Sequence, residues 1–483
     1  MNFKADSEII IQALSDFYER CISGEGPVIQ QPPMSALIAD MELSSLVRDG
    51  GLSGEKLAQF VDRYLSAITR IYHPANIAHQ QAVPHYMAAL AGMVDNFVSS
   101  DGSIYELGPA SVSLEYFLIN WLLEKVGWKP SPLNAQYTRK EHYGGGILTH
   151  GGSIANLTAL IAARTKIAPE VWVKGNPDNL ALLVPAETHY SIARAVGIMG
   201  LGHNVIYPLE IDNRGVIIPD RLLASYERVK ADGKQILAVI ANAGTTAVGL
   251  YDPLQEVGVF CRERNLWFHI DGAHGGPALF SDKYRYLMGG VELADSLTMN
   301  MHKLMRVTSF CTALLVRDVQ TLDEAFTQEA SYLFHAKEQP GFDFLHRTIE
   351  CTKPVLGLKF FMVLAALGEA GLSEYIDRQF DLTAEVYDYL QGLNDFDCPV
   401  KPQSNILCFR VKGVDDGHLA LRDKLHAQGD YYISTASLHG QRYLRLTLTN
   451  PTTSLEVIKG LVHEIRELIN GSQDGGLARD VED

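Results

Sequence analysis

Lys303 follows the apolar run Ser296-Leu297-Thr298-Met299 and the segment Asn300-Met301-His302, which places an amine where a strand gives way to a loop. Upstream, Asp271 closes the apolar stretch Leu266 to Ile270 and opens Asp271-Gly272-Ala273-His274-Gly275-Gly276. An amine can hold an aldehyde covalently, and a carboxylate against a pyridine nitrogen keeps the ring protonated and electron-withdrawing. Pyridoxal phosphate carries both groups, and it is the cofactor these two residues suit. Lys303 also has apolar neighbours in Met299, Met301, Leu304 and Met305, unlike a solvated surface lysine.

Other segments offer what the rest of such a cofactor needs. Gly151-Gly152-Ser153 stands directly before a helical stretch opening Ile154-Ala155-Asn156, where backbone amides, the Ser153 hydroxyl and the helix dipole would favour a phosphate. His189, after Pro185-Ala186-Glu187-Thr188, could lie flat on an aromatic ring, and Ala273 is small enough to let a ring pack above it. Thr245-Thr246 follow Ala243-Gly244, and the Thr246 hydroxyl could meet the ring's phenolic oxygen; Asn300 and His302 could add phosphate contacts. Each segment has an ordinary alternative: a serine-capped loop, a satisfied histidine at a helix start, a plain turn, a helix cap for Asp271. What is specific is the order, with each polar group at a successive strand exit.

The elements that would hold these residues are legible as runs. Leu180 to Val184, Val205 to Pro208, Ile236 to Ala241, Leu266 to Ile270 and Thr312 to Val316 read as strands. Helical stretches at Ile154 to Lys166, Ser191 to Gly200 and Leu254 to Arg264 lie between several of them. Apolar strands alternating with helices predict a largely parallel sheet covered on both faces, with its site at the carboxyl ends of the strands. The fold class expected is α/β. A helical N-terminal arm is expected over 1–85, a large domain over 86–365, a smaller α/β domain over 366–470, and a polar tail without packed structure over 471–483.

Composition narrows the partners. The chain has 483 residues, 47% of them hydrophobic, which is enough for a large core. A net charge of -16 argues against a nucleic-acid groove or an anionic membrane surface. Six scattered cysteines without a C-x-x-C pair read as reduced thiols, and no metal site is expected. No basic segment leads into an apolar one at the start, and no apolar run approaches the roughly 20 residues of a membrane span. A cytoplasmic location and a small-molecule substrate are expected.

With these residues in view, the chain resembles the pyridoxal-dependent group II amino-acid decarboxylases of the aspartate-aminotransferase fold (fold type I of the pyridoxal enzymes). The likeness rests on Thr149-His150-Gly151-Gly152-Ser153-Ile154-Ala155-Asn156, Glu187-Thr188-His189-Tyr190-Ser191, Gly244-Thr245-Thr246 with Asp252-Pro253-Leu254, Asp271-Gly272-Ala273-His274-Gly275-Gly276 and His302-Lys303. It extends to His73-Pro74, Tyr105-Glu106-Leu107-Gly108-Pro109, Tyr332-Leu333-Phe334-His335, Glu350-Cys351 and Leu444-Arg445, so it spans roughly residues 70 to 470. Departures are His150 and Ile154 in the anion loop, Gly272 where alanine is usual, and Thr352-Lys353-Pro354 in place of a Gly-Arg-Arg-like stretch.

The resemblance implies a homodimer with active sites at the subunit interface, and loss of carbon dioxide from an L-amino acid to leave the amine. It implies that Lys303 binds the cofactor aldehyde, that Asp271 pairs with the ring nitrogen, and that His189 and Ala273 enclose the ring. Tyr332 matches the family's proton donor to Cα on a loop that reaches across the dimer, and Arg445 matches a residue that holds a substrate carboxylate. His79 and Asp101 match pocket positions filled by amides in glutamate decarboxylases; a carboxylate at Asp101 would attract a basic side chain. The Gly-Gly-Ser-Ile loop and the Asp252-Pro253-Leu254 turn instead lean toward glutamate, aspartate or cysteine sulfinate. An acidic substrate is slightly favoured over a diamino acid or an aromatic one. An aminotransferase, a decarboxylating aldehyde synthase and a catalytically silent pyridoxal-binding protein are the rival readings; Tyr332 counts against the first two.

Overall fold

Strands that are apolar on both faces can only persist where both faces are covered, and the central strands here are of that kind. The structure, a computed structural model, describes residues 2–132, 142–326, 341, 343–414 and 417–473. It divides into two compact units, one of residues 80–380 with 402–404, the other of 1–79, 381–401 and 405 onward.

The larger unit holds a seven-stranded sheet: β1 (Gly145–Thr149), β2 (Leu180–Pro185), β3 (Ile206–Leu209), β4 (Gln235–Asn242), β5 (Phe268–Asp271), β6 (Ser296–Asn300) and β7 (Thr312–Val316), in the order β1-β7-β6-β5-β4-β2-β3. From β3 through β6 every pairing is parallel, while β7 runs antiparallel to both β1 and β6. Parallel neighbours need crossovers; the helices Ser191–Ile198, Leu222–Ala231 and Leu254–Glu263 supply those up to β5, and three short 3-10 turns lead from β5 to β6. The helix Gly152–Ile167 is buried almost all round, from Ala155 to Thr165, because it packs against β4, β6 and β7 while other helices cover it.

Register brings the strand exits to one edge. Asn242 pairs with Asp271, and Asp271 with Thr298. Thr149 and Asn300 both face Thr312 from opposite sides, so the exits of β1 and β6 lie level. β1 is not among the strand-like runs of the sequence, because two of its five residues, Gly145 and Gly146, carry no side chain to show a period. Here close packing demands glycine: a Cβ on Gly146 would lie 2.3 Å from the Leu314 carbonyl oxygen.

The smaller unit has an antiparallel sheet of β8 (Phe396–Asp397), β9 (Ile406–Val411), β10 (Ser434–Leu438) and β11 (Gln441–Thr447), ordered β10-β11-β9-β8. The helix Leu455–Gln473 contributes Ile458, Leu461, Val462 and Ile465 to its core. The domain limits expected at 85 and 365 are not those of the structure. Residues 1–79 cluster with the C-terminal segment instead of forming a separate arm, because Ile77 enters that core and bonds through its backbone to Tyr432 and Thr447. Position 365 falls inside the helical segment Gly357–Gln391, which is interrupted at Gly368. Of the tail expected over 471–483, residues 471–473 continue the helix Leu455–Gln473 and the rest lie outside the described residues. None of the six cysteines is in a disulfide, and among the described residues no helix is long and apolar enough to cross a membrane.

Candidate active site

The exits of β1, β2, β4, β5 and β6 surround a cavity of about 330 Å³ within the larger unit. Ten residues singled out in the sequence line it: Gly151, Gly152, Ser153, His189, Thr246, Asp271, Ala273, Asn300, His302 and Lys303. Asn156, Ser191, Asn242 and Phe310, to which no role was given, line it as well.

Asp271 is buried yet reaches the cavity wall. Its Oδ2 accepts from Asn156 Nδ2 at 2.8 Å and its Oδ1 from the Ala273 amide at 3.2 Å. Each oxygen keeps a further lone pair for a donor inside the cavity. Across the cavity, the helix Gly152–Ile167 begins without any side-chain cap, so its first amides are open to an anion. A Cβ at Gly152 would stand 3.3 Å from Asn300 Oδ1 and 3.4 Å from the Ala273 methyl, so glycine keeps this corner open.

Two of the imidazoles, those of His189 and His302, are held neutral. Burial lowers the His189 pKa, against the opposing pull of Asp271, and Lys303 and Arg194 lower it further. A neutral, flat ring is the form that stacks without adding charge. Burial likewise pushes His302 down to about 4, although its bond to the Cys311 carbonyl works the other way. His302 Nδ1 donates to that carbonyl at 2.8 Å, while Asn300 Nδ2 donates to its Nε2 at 3.3 Å and accepts through Oδ1 from Thr312 at 2.7 Å. Thr245 is tied into its own turn by accepting from the Leu250 amide at 3.1 Å, which leaves Thr246 at the wall.

A protonatable ring nitrogen at Asp271, an aldehyde at Lys303, a ring face toward Ala273 and His189, and a phosphate at the uncapped helix start make a set of demands that this lining fits. Asp101, Arg445 and His79 are not among the lining residues. The Asp101 carboxylate accepts from the Ser103 amide at 2.6 Å and also from the Ser103 hydroxyl. In the smaller unit, Arg445 is buried and donates to the Ala78 carbonyl and to Ser434 Oγ, both at 3.2 Å, and His79 Nε2 bonds the Tyr432 hydroxyl at 2.9 Å. Tyr332 lies outside the described residues.

Residues 51–412 match the family model described as pyridoxal-dependent decarboxylase conserved domain. The chain is 28% identical over 460 residues to the acidic amino acid decarboxylase GADL1 of Mus musculus, covering 91% of this chain and 80% of that one. It is 26% identical over 435 residues to the L-2,4-diaminobutyrate decarboxylase of Acinetobacter baumannii, covering 85% and 83%. The crystal structure of mouse CSAD in apo form superposes with a TM-score of 0.86 at 25% identity, over 97% of this chain and 99% of that one.

Proposed function

Because the chain belongs to the pyridoxal-dependent decarboxylase family and is a pyridoxal-phosphate-dependent amino-acid decarboxylase, we propose that its substrate is an acidic L-amino acid such as glutamate, aspartate or cysteine sulfinate. One observation carries this choice. Among the described residues Asp271 is the only carboxylate in the lining of the cavity, and its Oδ2 accepts from Asn156. A diamino acid would need a second carboxylate for its distal ammonium. Asp101, the candidate for that task, is not among the residues that line the cavity. The name of the mouse relative supports the acidic reading, and that of the Acinetobacter relative supports its rival.

When bound, pyridoxal phosphate supplies an electron sink for the pair left behind by the departing carboxylate. Lys303 would hold its aldehyde until the substrate amine takes over, and Asp271 would keep the ring nitrogen protonated. Gly151, Gly152, Ser153 and Asn300 would hold the phosphate with His302 beside them, Thr246 the phenolic oxygen, and His189 and Ala273 the two ring faces. Arg445 is assigned to a substrate carboxylate, and Tyr332 to delivering the proton to Cα.

We also take the protein to be a cytoplasmic homodimer. The helix Tyr86–Val98 supports the dimer, since Tyr86, Leu90, Val94 and Phe97 are exposed along one side at helical spacing. Apolar stripes of that kind usually mark a partner surface. The deciding experiment measures carbon dioxide release from the purified holoenzyme with glutamate, aspartate, cysteine sulfinate, diaminobutyrate, ornithine and the aromatic amino acids. Turnover confined to the diamino or aromatic substrates would overturn the acidic assignment.

A further inference from the structure

Beneath the cavity runs a buried chain of hydrogen bonds in which each donor can be assigned. A carboxylate only accepts, so the Asn156 group 2.8 Å from Asp271 Oδ2 is the amide nitrogen. Its carbonyl oxygen therefore faces His269, whose Nε2, 3.0 Å away, must donate. His269 is fully buried, and burial pushes its pKa down to about 4. The ring is thus neutral and its Nδ1 accepts. The donor to that nitrogen is the Ser296 hydroxyl at 2.8 Å, which in turn accepts from Trp267 Nε1 at 2.9 Å.

The chain also forks. Asn156 Nδ2 donates to Ser191 Oγ at 3.0 Å. His189 Nδ1 accepts from the Ser191 backbone amide at 3.2 Å, so the Ser191 hydroxyl, 2.9 Å away, donates to it too. His189 then carries its own proton on Nε2.

We infer that Asn156 is a positioning residue whose single amide, oriented from behind by His269, fixes Asp271 as an acceptor for the ring nitrogen and fixes the tautomer of His189. The inference rests on the reading that puts pyridoxal phosphate in this cavity. Neither Asn156 nor His269 acts on substrate. A hydrogen bond donated to a carboxylate favours its charged form, and a charged Asp271 favours the protonated ring. Removing the donor raises the basicity of Asp271 and leaves His269 Nε2–H without an acceptor in a dry site.

The test uses holoenzyme reconstituted with pyridoxal phosphate isotope-labelled at the ring nitrogen, whose magnetic-resonance shift reports ring protonation. In Asn156→Leu the resonance should move toward the unprotonated position, and the Kd of the apoenzyme for pyridoxal phosphate should rise about tenfold. Ser191→Ala should leave the ring-nitrogen resonance in place while changing the imidazole signals of His189. If Asn156→Leu does not fold, Ser296→Ala, which cuts the chain farther back, should give a smaller movement in the same direction. A variant of Asn156 or Ser296 that binds the cofactor with an unmoved ring-nitrogen resonance overturns the inference. Failure of the unaltered protein to take up pyridoxal phosphate would instead overturn the reading of the cavity.

Discussion

His150 Nδ1 lies 2.6 Å from Glu350 Oε1, directly beside the Gly151-Gly152-Ser153 edge of the cavity. His150 is thus the point at which this chain's departure in the anion loop acquires a partner. The pair braces the loop that carries Gly151, Gly152 and Ser153. The His150 side chain is 46% exposed, which limits such a pair to about 1 kcal/mol. His150→Ala should therefore weaken pyridoxal phosphate binding about three- to fivefold, measured by absorbance titration of the apoenzyme. Unaltered affinity would reduce the pair to a surface contact.

Lys303 has a sharper prediction. Among the described residues it is the only lysine in the cavity lining, at the exit of β6. Lys303→Ala should still bind pyridoxal phosphate through the phosphate and ring contacts, but without a covalent link. Borohydride treatment should then leave no cofactor on the denatured chain, and carbon dioxide release should be lost. Cofactor retained after reduction and denaturation would assign the link to another residue.

Lys353, in the stretch that departs from the family pattern, forms an ion pair with Glu115 in which both side chains are buried. Glu115 uses its other oxygen to accept from the Leu148 amide at 2.8 Å, so the pair anchors β1 just before the anion loop. Removing one member of a buried pair strands the other, which costs about 3–5 kcal/mol. Lys353→Met should lower the urea midpoint accordingly. Adding Glu115→Gln should recover part of the loss, because glutamine still offers an oxygen to Leu148. A double variant no more stable than Lys353→Met would show that the cost lies elsewhere.

What could be read along the chain and what could not follow from the range of the interactions. Leu180 to Val184, Ile236 to Ala241 and Thr312 to Val316 declare themselves as strands because both of their faces are buried. The polar residues that end such strands inherit their position, which is why Asp271, Asn300 and Lys303 could be named. Asn156 gave no such signal: it is one polar residue on a buried helix, and it meets Asp271 across 115 positions of chain. β1 was hidden by glycines that serve packing instead of turning. The union of residues 1–79 with the C-terminal sheet was hidden because its bonds, such as Thr447 N to the Ile77 carbonyl at 2.8 Å, leave no local periodicity.

Two histidines whose pKa is pushed down to about 4, His269 and His302, make stability depend on pH in a definite direction. His269 and His302 ionise at 6.5 in the unfolded chain and at about 4 in the folded one. Between these values the unfolded state binds more protons, so acid favours unfolding. Their stabilising contribution is fully present above pH 6.5 and is lost as the pH falls toward 4, at up to about 1.4 kcal/mol per pH unit for each group. The urea midpoint of the apoenzyme should therefore decline steadily from pH 7 to pH 5. His302→Asn removes one of the two groups and should make that decline shallower by the share of one proton. Parallel declines for the variant and the unaltered chain would mean that His302 takes up its proton in the folded state as readily as in the unfolded one.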